Sequence, residues 1–87
     1  MLQRFWFKFR NVPPFSNLWL GCGVTGYDYA DALQMLARTV FAEHPQVEVD
    51  AVIEDVDICT LDAGHVLPNM GVPAARGIWF PLGYQLQ

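Results

Sequence analysis

Apolar and polar side chains alternate from Gln3 to Arg10. Phe5, Phe7 and Phe9 fall on one side, and Arg4, Trp6, Lys8 and Arg10 on the other. Period two with aromatic residues predicts a half-buried strand. Pro13 and Pro14 end it, because proline has no N–H to give to a ladder. A second short strand is expected over residues 18–24, interrupted by glycines. The pattern then becomes helical. Ala30, Leu33, Leu36, Ala37, Val40 and Phe41 recur at three- and four-residue spacing, behind Asp28 as N-cap and Asp31 as its capping-box partner. His44 and Pro45 close this helix, since a residue before proline avoids the α region. Val47, Val49, Ala51 and Ile53 alternate with Glu48, Asp50, Val52 and Glu54, a third strand. Residues 78–84 read as a fourth, with Pro81 marking an edge or a bulge.

The order β-β-α-β-β over residues 1–87 predicts a single small α+β domain. It is a two-layer sandwich of one helix on a three- to four-stranded mixed or antiparallel sheet. One helix covers one face of that sheet. The other face would present Trp6 and its charged neighbours, a candidate contact surface.

Composition sharpens this picture. Hydrophobic residues make up 53 %, with six Phe, three Trp and three Tyr. That is more aromatic surface than one small core needs, so part of it is expected at an interface, where Trp and Tyr are favoured. Charged residues are only 16 %, which argues against disorder. The net charge of −4 is segregated. Arg4, Lys8 and Arg10 lie at one end, and Glu48, Asp50, Glu54, Asp55, Asp57 and Asp62 fall together later. A basic strand beside an acidic one explains this internally. An acidic face steering a basic partner explains it externally, and the two can coexist.

Residues 64–77 form a Gly- and Pro-rich loop that carries His65, Asn69 and Arg76 and leads to Trp79. A loop of this length in so small a domain is either functional or ordered by its own side chains. Arg76 is expected to order it through a bidentate pair with Asp55 or Asp57. The alternative is a contact role beside Trp79, since Arg and Trp are enriched at interface hot spots.

Gly21, Gly23 and Gly26 satisfy G-x-G-x-x-G, the dinucleotide-binding pattern. Their Leu-Gly-Cys-Gly core is similar to the first motif of S-adenosylmethionine-dependent methyltransferases. Those folds use five or more parallel strands. Trp19 stands where that methyltransferase motif has an acid, and Asp28 would oppose a phosphate at the helix start. The glycines are therefore read as letting a strand bend or approach the helix, and no cofactor is expected. Cys22, His44, Cys59 and His65 lack metal-ligand spacing, so no metal is expected and both thiols are read as small buried hydrophobes. Cys59 and His65, with Asp57 or Asp62, would be the nucleophile and base of a small enzyme. Five basic residues in an acidic chain argue against nucleic-acid binding, aromatic strand notwithstanding.

No run approaches the ~20 apolar residues of a membrane span, and residues 1–10 lack a signal-peptide pattern. Two cysteines suit a reduced, cytoplasmic protein. The reading is a non-enzymatic protein-binding module, in the manner of small bacterial or phage inhibitors and immunity proteins that block a partner. Its expected contact residues are Trp6, Asp55, Asp57, His65, Asn69, Arg76 and Trp79. The competing readings are a small enzyme or ligand-binding protein using loop 64–77 with Cys59 and His65, and a homodimer through the uncovered sheet face.

Overall fold

The computed structural model describes residues 1–82. Four strands, β1 (Gln3–Arg10), β2 (Cys22–Gly26), β3 (Glu48–Glu54) and β4 (Gly77–Phe80), form one sheet in the order β3-β1-β2-β4. Every pairing is antiparallel. Two helices, α1 (Tyr29–Arg38) and α2 (Val40–Glu43), follow β2. The α+β class and a four-stranded antiparallel sheet are as the periodicity predicts. The last predicted strand stops at Phe80, before Pro81, and lies at a sheet edge; Tyr84 lies outside the described residues.

The second strand begins later than its apolar residues suggest. Asn17–Trp19 is a single 3-10 turn, capped by the Ser16 hydroxyl accepting from the Leu18 N–H. The predicted helix is broken at Thr39. Its hydroxyl donates to the Met35 carbonyl at 2.7 Å, a back-bond that bends helices. The Asp28 cap is present: its carboxylate accepts from the Asp31 N–H at 2.8 Å, and Asp31 accepts from the Tyr27 N–H at 2.9 Å. The buried stripe of α1 is Ala32, Met35 and Leu36, continued by Val40. Ala30 and Ala37 are exposed, so the true helical face is rotated from the predicted one. This stripe packs on Phe5, Phe7, Cys22, Val24 and Ile78 to form the larger of two cores.

The second core is the principal departure from expectation. The helix crosses one face, carrying the chain from β2 past β1 to β3. Residues 55–76 must then return from the β3 edge to the β4 edge, three strand spacings or about 14 Å away. The helix face is occupied, so the segment crosses the other. It buries Val56 and Val66 against Trp6, Trp79 and Phe80, with Leu61 and Met70 packed around them. Trp6 is 3 % exposed and Trp79 2 %. The face opposite the helix is therefore covered, and these two indoles are core residues rather than an exposed aromatic face.

Glycines make room for them. A Cβ on Gly21 would meet the Trp6 ring at 2.6 Å, and one on Gly23 would overlap the Trp79 ring. Gly21 also has a φ of +125°. Two of the three motif glycines thus serve indoles on the sheet face away from the helix. The third, Gly26, faces the helix, against Asp31 and Met35.

Candidate interaction groove

The covering segment is built from local polar bonds as well as apolar contacts. The Asp62 carboxylate accepts from the Gly64 and His65 N–H groups at 2.7 and 2.9 Å. These bonds hold its pKa below the usual carboxylate value. The His65 ring lies against the same carboxylate, with Nδ1 3.3 Å from Asp62 Oδ1. Asn69 donates to the His65 carbonyl at 2.9 Å. Asp57 caps the next turn upstream, accepting from the Cys59 N–H at 3.0 Å. So Asp57, His65 and Asn69 are exposed, and each also helps shape the segment. Asp55 is exposed at a positive φ of 52°, where the chain leaves β3.

Arg76 does not pair with Asp55 or Asp57. Its guanidinium forks onto Asp31, with Nε–Oδ2 2.9 Å and Nη2–Oδ1 2.5 Å, and lies 5.5 Å from the centre of the Tyr27 ring. The acid it meets, Asp31, is already held by its N–H bond to the Asp28 cap. Arg76 therefore pins only the last residue before β4. Val56, Val66 and the Asp62 turn order the rest. The guanidinium and the Tyr27 N–H together pull the Asp31 pKa from 3.8 down to about 2. A depressed carboxylate contributes stability that is full above its unfolded pKa and is lost as pH falls through its folded one. Arg76→Ala is thus expected to lower the melting temperature by a few degrees at pH 7. The Arg76 side chain is 43 % exposed, so solvent screens the pair and a larger loss is not expected. The difference from the parent should shrink between pH 4 and 2, read by thermal melts across that range. A difference that stays constant down to pH 2 would show that the ion pair is not its source.

The enzyme pair is not assembled. Among the described residues no hydrogen bond joins Cys59 to His65, and His65 is held by Asp62 instead. No group of three or more His, Cys, Asp or Glu among them could hold a metal. The cysteines also differ from the expected buried pair: Cys22 is buried and Cys59 exposed. Burial pushes the Cys22 thiol well above its ordinary pKa. One thiol per native chain should react with a neutral disulfide reagent, and Cys59→Ser should abolish that reaction. Fast labelling of both would mean that the helix-side core opens readily.

Surface apolarity lies elsewhere than predicted. A groove of about 500 Å³ runs between Trp19 and Leu20 on one side and β1–β3 on the other. Trp6 and Val66 form its floor, and Ile53 its far wall. Lys8, Asp50, Thr60 and Asp62 provide the polar rim. A bulge on β3 supplies one of these. Lys8 pairs with Ala51 but Phe9 with Val49, so Asp50 is the extra residue. That slip lets Val49 and Val52 both join the helix-side core. It leaves Ile53 exposed and puts Asp50 at the groove.

Trp19 is 62 % exposed yet not free, because its indole N–H donates to the Pro13 carbonyl at 2.9 Å. Phe15, in the preceding turn closed by the Ser16 N–H donating to the Pro13 carbonyl, is fully exposed with a φ of 64°. Leu20 joins the groove to a smaller depression bordered by His65, Asn69, Phe80 and Leu82. Spacing alone does not mark Phe15, Trp19, Leu20 or Ile53 as a contact residue. Trp19 and Leu20 look like core in a predicted strand, and only the 3-10 turn turns them out.

Charge follows the same surface. Arg10 bonds Glu48 at 2.9 Å and approaches Asp50 at 4.0 Å, so the basic and acidic strands do partly complement each other. Glu54, Asp55 and Asp57 have no ion-pair partner among the described residues. No helix among those residues is long and apolar enough to cross a membrane. Comparison with protein-family models, curated proteins and solved structures finds no match to this chain.

Proposed function

We propose that this protein is a non-enzymatic binding module that blocks a protein partner, as small inhibitor and immunity proteins do. The observation that carries the reading is the exposed apolar run of Phe15, Trp19 and Leu20. A bulky residue in the left-handed region costs about 1–3 kcal/mol. Phe15 accepts that conformation with its ring wholly in water, so the fold gains no packing from it. Trp19 is exposed but anchored by its indole N–H, which lowers the entropy it would lose on contact. Both are residue types that serve as interface anchors. The unpaired acids at the end of β3 add a long-range attraction for a basic surface. The exposed Cys59 thiol suits a reducing, cytoplasmic setting.

The test is affinity capture from the protein's own cellular source, run in parallel with Phe15→Ser/Trp19→Ala. Both positions are exposed, so the variant should melt close to the parent. The expected result is a partner held by the parent, released by salt and absent from the variant. Identical captured sets would remove this run from the interface. Turnover of a small molecule that is lost in Cys59→Ala or His65→Ala would overturn the non-enzymatic reading altogether.

A further inference from the structure

We infer that the groove beside Trp19 receives a basic segment of the partner, with one aliphatic or aromatic side chain over Trp6 and a lysine or arginine at Asp50 and Asp62. This rests on the protein-binding reading and names the chemistry its partner must bring. The groove is apolar below and polar around, with a volume in the range of small built sites. Its floor is fixed, because Trp6 is packed between Gly21 and the Trp79 and Phe80 rings. Its aromatic wall is fixed by the bond from Trp19 to Pro13. A preformed apolar slot between Trp19 and Ile53 takes an apolar side chain without reordering.

The charge decides what flanks that side chain. Six carboxylates, at 48, 50, 54, 55, 57 and 62, outnumber three bases, Arg4, Lys8 and Arg10. Arg10 is committed to Glu48. Asp50 stands on the bulge with only a 4.0 Å approach from Arg10, and Asp62 keeps its charge through the backbone bonds it accepts. A cation entering beside Trp19 meets an indole face and two carboxylates, Asp50 and Asp62, against one base in the lining, Lys8; carboxylates with an indole are the combination that holds guanidinium and ammonium groups. A second copy of this chain would bring like-charged faces together. A nucleic acid would bring phosphates to carboxylates. Both are opposed by the same field.

The experiment is selection of random twelve-residue displayed peptides on the intact protein, with Ile53→Arg as counter-selection. Ile53 is exposed, so an arginine there fills and charges the slot without entering either core. The expected consensus pairs Lys or Arg with an aliphatic or aromatic residue. One selected peptide, synthesised with a fluorescent label, should bind roughly tenfold more weakly to Trp19→Ala or Ile53→Arg. Asp50→Asn should weaken it a few-fold, and so should added sodium chloride. An acidic consensus, no consensus, or binding indifferent to Ile53→Arg and Asp50→Asn would overturn the inference. Partner capture that depends on Phe15 but ignores Ile53→Arg would also overturn it, while leaving the protein-binding reading standing.

Discussion

Trp79→Ala is expected to cost about 3–5 kcal/mol, the usual loss for emptying a large aromatic site. A domain of this size holds only on the order of 5–10 kcal/mol in total. Three connections make Trp79 the centre of the second core. Its ring fills the space above Gly23 and meets Trp6 at 5.8 Å. Its indole N–H donates to the Thr25 hydroxyl at 3.0 Å, and that hydroxyl donates on to the Pro73 carbonyl at 2.6 Å. Its own carbonyl accepts from the Gly71 N–H at 2.7 Å. Trp79 therefore joins β4, β2 and the covering segment. Without the ring, Thr25 keeps its bond to Pro73 but loses its donor, and Val56 and Val66 lose part of their support. Urea unfolding should show a midpoint that falls steeply. Hydrogen exchange should show residues 55–76 losing protection before the helix-side core does. Trp79→Phe separates the contributions, because it keeps most of the apolar surface and forfeits the indole bond, at about 1–3 kcal/mol. A Trp79→Ala chain that unfolds at the parent's urea concentration would mean that the segment does not depend on this layer.

The second core shows why the sequence was legible in one layer and not in the other. The phase of β1 was plain, since Phe5 and Phe7 are buried on the helix side as their spacing predicts. The helix start was plain too, because Asp28 and Asp31 act locally. Trp6 misled for a global reason. A strand pattern says that Trp6 points away from the helix, and it does. Whether that face is wet depends on how residues 55–76 travel, which follows from strand order. Strand order is set by pairings between distant residues and leaves no local mark. Once β3 and β4 occupy opposite edges, the cover over Trp6 is a geometric consequence.

Bulges hid the remainder. Strict alternation assigns Val49 and Ile53 to one face and Val52 to the other. The slip at Asp50 puts Val49 and Val52 together and turns Ile53 outward. On β4 the partner of Gly23 is Phe80 and that of Val24 is Ile78, so Trp79 is the extra residue and shares a face with Phe80. A single inserted residue in each edge strand thus moves an acid and a tryptophan to where the groove and its floor need them. The acidic run was legible as charge, but its meeting with Trp19 was not, because the two lie some thirty residues apart and meet only through β1.

Replacing either of the two indole-bearing glycines with alanine is expected to destabilise the protein with no ligand present. This separates the structural role of these glycines from the nucleotide-loop pattern they imitate. A Cβ at Gly23 would enter the Trp79 ring. That ring cannot swing away, because its N–H is tied to Thr25 and its flank rests on Trp6. Overpacking of this kind costs roughly 1–3 kcal/mol. Gly21→Ala carries the same collision with Trp6 and adds the strain of a φ of +125°, so it should be the more damaging of the two. The decisive comparison is a double-mutant cycle. Gly23→Ala with Trp79→Phe should lose less than the two single changes added together, because the smaller ring yields space to the new methyl. Melts of the parent, both singles and the double, each with and without nucleotide or S-adenosylmethionine, complete the test. Strict additivity, or a Gly23→Ala protein as stable as the parent, would show that the indole does not rest where the glycine leaves room for it.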